Sequence, residues 1–157
     1  MSDENTAAAA EQPTEPQFGV QKTFVKDMSF ETPMGVKVFT KPFKPQIKLD
    51  VNARSAVVAD NQYEVVLTIT VTATIEDETA YLLELQQAGI FAVSGFPEEQ
   101  FKHVMGAVCP NFLFPYGREA IDSTVVRGGF PPLSLAPIDF DAMFRNSQNS
   151  AEGQSLN

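Results

Sequence analysis

From Tyr63 to Ile75 every odd position is apolar: Tyr63, Val65, Leu67, Ile69, Val71, Ala73 and Ile75. The even positions are Glu64, Thr68, Thr70, Thr72 and Thr74, with Val66 the exception. A period of two sustained with β-branched residues is the pattern of a long strand with one buried face. Glu76, Asp77 and Glu78 supply a solvated turn, and Thr79 to Val93 returns as a second strand. Leu83 and Leu85 bracket Glu84 in that return, so alternation turns Glu84 away from the core, on the side that Leu82 and Gln86 share. The hairpin thus has a packed underside and an upper side that carries a carboxylate.

The remaining chain has to supply what covers the underside. Residues 1–17 are alanine-rich and acidic (Asp3, Glu4, Glu11, Glu15) with Pro13 and Pro16, and residues 146–157 are polar without aromatics. Both stretches read as disordered tails around a single domain of residues 18–145. A first strand is expected over 18–31, with Phe18, Val20, Phe24, Met28 and Phe30 on one side. Asp27 and Glu31 share the opposite side, about 13 Å apart at ~3.3 Å per residue. Residues 32–45 form a connector punctuated by Pro33, Pro42 and Pro45 and carrying Phe39 and Phe43. Ile47, Leu49 and Val51 alternate with Lys48, Asp50 and Asn52 in a short strand over 46–53, after which 54–62 turns towards the hairpin.

After Gly95 the period changes. Pro97, Glu98 and Glu99 open a short helix with the spacing Phe101–Val104–Met105–Val108, which Cys109 and Pro110 are expected to break. Asn111 is the expected cap of a longer helix that ends at Arg127 before Gly128 and Gly129, with Phe112, Tyr116, Ala120, Ile121, Thr124 and Val125 as its broad face. Residues 130–137 are extended, and Asp139 caps a last short helix with Phe140, Met143 and Phe144. Strands first and helices afterwards predict an α+β fold: a four-stranded antiparallel sheet with helices packed on one face.

Several functions are disfavoured by this inventory. A net charge of −9 and the lack of a basic patch disfavour nucleic acid as a partner. Cys109 is the only cysteine and His103 the only histidine, with nothing in the sequence to orient them as a nucleophile and base. No phosphate-binding glycine loop opens a helix, and Glu76–Asp77–Glu78 lacks the spacing of a calcium loop. No cofactor, no metal and no catalysis are expected. Neither a secretory signal nor a membrane span is read in the sequence, so no direct membrane insertion and a cytoplasmic location are expected.

Several segments carry a resemblance: Lys26-Asp27-Met28-Ser29-Phe30-Glu31, Tyr63-Glu64-Val65-Val66-Leu67, Thr70-Val71-Thr72-Ala73 and Gln86-Gln87-Ala88-Gly89-Ile90-Phe91. So do Cys109-Pro110-Asn111, Leu113-Phe114-Pro115-Tyr116 and Leu135-Ala136-Pro137-Ile138-Asp139-Phe140-Asp141-Ala142. Over 18–144 the chain resembles the SecB export chaperones of proteobacteria. The resemblance implies a homotetramer, a dimer of dimers with sheets outside and long helices between. It also implies binding of unfolded precursor proteins and their delivery to the translocase motor SecA, without ATP. Asp27, Glu31, Leu82 and Glu84 match the family's SecA-docking positions, which meet a basic, zinc-bearing tail of SecA. Phe43, Ile47, Leu49, Val51 and Phe144 match its client groove, with Phe43 where the family usually has tryptophan. Leu83, Leu85 and Gln87 match positions that influence tetramer assembly, although their parity faces the helices.

Two other readings stand beside this one: a peptide- or small-ligand-binding α+β module with the Phe-rich connector as a lid, and a thioesterase-like enzyme with a helix wrapped by a sheet. The first requires an enclosed pocket. The second places its helix among the strands, and here every strand precedes the helices.

Overall fold

The computed structural model describes residues 15–154; most of the expected N-terminal tail lies outside them. Four strands, β1 (Gln17–Glu31), β2 (Gln46–Ala59), β3 (Gln62–Ile75) and β4 (Glu78–Ser94), form one antiparallel sheet in the order β1-β4-β3-β2. The connector after β1 therefore crosses from one edge of the sheet to the other. It contains a 3₁₀ turn, Gly35–Thr40, where irregular chain was expected, and Val38 of that turn is buried.

Turn chemistry corrects two strand limits. β2 runs on to Ala59, and its link to β3 is only Asp60–Asn61, so residues 54–59, expected to turn, are strand. Asn61 has a φ of 57°, a left-handed conformation that asparagine tolerates better than most residues. In the second hairpin Ile75 pairs with Glu78, so the turn is Glu76–Asp77 with φ of 49° and 65°, and Glu78 already belongs to β4. Two consecutive left-handed residues match the right-handed twist of the flanking strands. Lys41 reaches this turn at 2.8 Å from Glu76, and Lys37 lies 3.1 Å from Glu78, tying the connector to the hairpin tip.

β1 departs from simple alternation. Irregularities fall between Val20 and Lys22 and between Val25 and Asp27 as β1 pairs with β4. Each one inserts a residue and reverses the parity. Phe24, expected beside Phe18 and Phe30, instead lies opposite Ala88 on the outer face. There it shelters a small apolar patch, because Val66 and Ala88 are buried although they share that face.

The helix-facing side holds the core. Val65, Leu67, Ile69, Val71, Leu83, Leu85 and Phe91 are fully buried there. Helix α1 (Glu98–His103) passes through a wide π turn, Val104–Val108, directly into α2 (Cys109–Arg127). The expected break at Cys109–Pro110 does not occur, and Asn111 is inside the helix rather than at its cap. Pro110 has no N–H to give to the carbonyl four residues back, and its ring would crowd that carbonyl. A turn in which the Cys109 N–H bonds to the Val104 carbonyl, five residues back, absorbs this without stopping the helix.

The buried face of α2 also differs from expectation. Leu113, Phe114, Gly117, Ile121 and Val125 face inward, whereas Phe112 and Tyr116 are about half exposed. Gly117 marks a close approach, since a Cβ there would stand 3.1 Å from the Ile69 side chain. Helix α3 (Phe140–Gln154) starts with Asp139 Oδ1 accepting the Ala142 N–H at 3.0 Å, the expected cap. It continues well past residue 145, so 146–154 is helical rather than a tail. Once the cap and the docked Phe140 and Phe144 have formed the first turns, each further polar residue adds a backbone hydrogen bond at little cost.

Candidate functional site

Two surfaces collect the residues singled out by sequence, one on each side of the sheet. On the outer face, Ser29 lies opposite Glu84, Asp27 opposite Gln86 and Glu31 opposite Leu82. Asp27 and Glu31 are therefore the two diagonal neighbours of Glu84, at about 7–8 Å. Thr68, Thr70 and Thr72 of β3 continue the plate. All three acids are exposed and Leu82 is half-buried. Two cations of this face pair away from these acids, Lys26 with Glu64 at 2.7 Å and Lys48 with Asp50 at 3.8 Å, while Arg54 donates to Gln86 Oε1 at 3.3 Å, opposite Asp27. The patch thus combines concentrated negative charge with one apolar foothold.

After the first irregularity has reversed the parity of β1, the second restores it for Asp27. Val25 and Asp27 have the same parity, yet Val25 lies opposite Gln87 on the helix side and Asp27 opposite Gln86 outside.

On the helix side, β2 is left bare. Ile47 is 40% exposed and Leu49 37%, in the same rows as fully buried Ala73 and Val71. With Val51 they form an apolar strip that leads into a groove of about 550 Å³. Val51 and Ala53 line one wall of that groove, and Phe101, Met105, Met143 and Phe144 line the other. Gly106 of the π turn provides the seat for Phe144, because a Cβ there would collide with the ring. His103 Nε2 lies 2.5 Å from Asp141 Oδ1 and holds the start of α3 against the end of α1.

Phe43 is placed apart from the groove. Its ring lies 5.3 Å from Phe130 and 6.5 Å from Tyr81, within a cluster that also holds Phe30 and Phe39. Tyr81 pairs with Ala73, and Ala73 with Ile47, so the bare strip of β2 links the aromatic cluster to the groove. Four of the five expected groove residues thus lie along one strip and groove, and the fifth caps its far end. Of the helical wall only Phe144 is expected from sequence: Phe101 and Met105 are one turn apart and resemble any core pair until β2 is seen opposite them. The loop anchor Asp122 was missed as well; its Oδ1 accepts the Leu133 and Ser134 N–H groups, each at 3.0 Å.

Leu83, Leu85 and Gln87 are buried under α2 within the subunit. The Gln87 amide donates to the Phe24 carbonyl at 3.1 Å, which satisfies a buried polar side chain beside the second irregularity of β1. Burial pushes the Cys109 thiol up to about 12 and keeps it neutral, the opposite of an activated nucleophile. Burial, and then the charge of Asp122, raise the Tyr81 phenol. Among the described residues no group of three or more His, Cys, Asp or Glu is placed to hold a metal, and no helix is long and apolar enough to cross a membrane.

Comparison with known proteins fits this geometry. The fold is similar to that of the Mycobacterium tuberculosis SecB-like chaperone Rv1957, solved with a ChAD peptide from the HigA1 antitoxin, at a TM-score of 0.65 and 14% identity, covering 77% of this chain and 90% of that one. A protein of unknown function from Streptococcus agalactiae matches at a TM-score of 0.42 and 10% identity, over 78% of this chain and 99% of that one. The family model described as preprotein translocase subunit SecB matches residues 11–151. With nearly the whole chain matched by that model, this protein belongs to the SecB family.

Proposed function

We propose that this chain is an export chaperone that holds unfolded precursor proteins and delivers them to the SecA motor, acting as a cytoplasmic homotetramer without a cofactor. One observation carries the holding role: large apolar side chains on the helix side of β2, Ile47 and Leu49, stand open beside a groove, while their neighbours on β3 are sealed. A client segment that buries four or five large apolar side chains along Phe43, Ile47, Leu49, Val51 and Phe144 gains roughly 1.5–3 kcal/mol from each in gross terms. Ordering and association costs remove much of that gain. Several copies of the surface on one particle recover affinity without sequence-specific contacts. The outward apolar side chains of α2, Phe112, Tyr116 and Val126, are suited to packing between dimers. Delivery rests on the outer face, where Asp27, Glu31, Leu82 and Glu84 complement a basic tail.

The decisive experiment measures binding of a reduced, unfolded precursor and of the SecA tail to the same variants. Leu49→Ser with Phe144→Ser weakens client holding about tenfold or more and spares SecA. Asp27→Lys with Glu84→Lys does the reverse, most clearly at low salt. Equal client affinity in the first variant overturns the groove, and undiminished SecA binding in the second overturns the docking role.

A further inference from the structure

A feature of β1 precedes the acidic plate: the extra residue that turns Asp27 outward. Lys26 occupies that irregularity, between Val25 facing the helices and Asp27 facing out. A one-residue slip in a strand moves every following side chain to the opposite face. With Phe30 held by Tyr81 and Phe130, where the extra residue sits decides whether Asp27 joins Glu84 and Glu31 or turns away from them.

Register is ordinarily held by burial, which anchors β1 at Phe18 and Phe30 but is weak beside the irregularity. On the helix side of β1, Val25 is 48% exposed and Met28 42%. Their modest apolar gain does little to fix where the irregularity falls. Two contacts on the outer face compensate. Phe24 stands in one cross-strand row with the buried pair Ala88 and Val66. The Lys26 ammonium crosses β4 to reach Glu64 of β3 at 2.7 Å, and both side chains are partly sheltered, at 38% and 22% exposure.

We infer that Lys26, through its ion pair with Glu64, is a positioning residue for SecA docking: it fixes the irregularity in β1 that presents Asp27 beside Glu84. The inference rests on the docking role proposed above. It also accounts for a cation tolerated next to a surface meant for a basic partner: Glu64 holds the charge of Lys26 one strand beyond β4.

Charge and position predict opposite signs, which makes the test sharp. The full-length protein is titrated with the zinc-loaded C-terminal tail of SecA at low salt, and client holding is measured in parallel. On charge alone, Lys26→Met tightens binding of a basic tail, and Lys26→Glu tightens it further. Positioning predicts instead that Lys26→Met weakens docking about fivefold and Lys26→Glu by more, with client holding unchanged. Lys26→Arg, and the exchanged pair Lys26→Glu with Glu64→Lys, restore it. Equal or tighter docking by Lys26→Met overturns the inference, as does failure of the exchanged pair to recover. Indifference of the parent protein to the tail, or of docking to Asp27→Lys, instead removes the docking role itself, and this inference with it.

Discussion

The two halves of the helix-facing sheet surface share one sequence pattern and have different fates. β3 and β4 present Leu67, Ile69, Leu83 and Leu85 to α2 and are sealed. β2 presents Ile47, Leu49 and Val51 with the same alternation, yet Ile47 and Leu49 remain over a third exposed. Alternation establishes that residues share a face, and only a second layer decides whether that face becomes core. Here α2 lies over β3 and β4, and α3 docks on the π turn instead of closing over β2. The uncovered half is what a chaperone surface requires.

The largest effect separates the halves directly. Leu85→Ala should cost about 2–5 kcal/mol in urea unfolding, whereas Leu49→Ala should cost under about 1 kcal/mol and weaken client binding instead. Comparable stability losses would show that β2 is covered core after all.

A second test acts on the wall that leaves the groove open. Gly106→Ala should displace Phe144 and loosen α3, costing about 1–3 kcal/mol and altering client affinity together with it. An unchanged affinity would separate α3 from the groove.

Cys109 probes how well the covered half is sealed. Its thiol should resist iodoacetamide at pH 8 in the folded protein and react once the chain is unfolded. Because the folded-state value is raised to about 12 from 9.0, folding favours the neutral thiol. That contribution is complete below pH 9 and is lost as the pH rises towards 12. Rapid labelling of the folded protein would mean that the core beneath α2 opens readily.

The smallest effect concerns the exposed tether at the hairpin tip. The hydrogen bond and charge of Lys41 lower the Glu76 carboxyl, and the bond to Glu76 raises the Lys41 ammonium. The tether's contribution is therefore constant through neutral pH. It fades as the pH falls below 4.5 through the lowered carboxyl, and as it rises above 10.5 through the raised ammonium. Amide exchange in residues 35–40 should accelerate only at those extremes, and Lys41→Ala should barely change the melting temperature. Strong acceleration at neutral pH in that variant would make the tether a principal support of the connector.

The β3–β4 hairpin, the strand-then-helix order and the outward Glu84 were legible because each depends on local periodicity. β1 was legible only in part. Its two irregularities depend on where β4 offers partners, and the inversion of Phe24 leaves no mark in a list of apolar positions. Pro110 misled for a related reason. A proline normally ends a helix, but burial of Val104, Met105, Leu113 and Phe114 on a common support holds the chain helical on both sides and leaves a π turn between them.

The candidate site divides along the same line. Asp27, Glu31 and Glu84 could each be assigned to an open face from alternation or resemblance, and residue type accounts for the charge they carry. Their meeting in one patch needed the cross-strand register, which is a property of two strands rather than one. Likewise, Ile47, Leu49 and Val51 were visibly one apolar face by themselves. The sequence by itself determined which side chains share a face, because backbone geometry imposes the period of a strand. Tertiary structure alone decided which face is covered and which stays open, because that depends on where distant helices find room to pack.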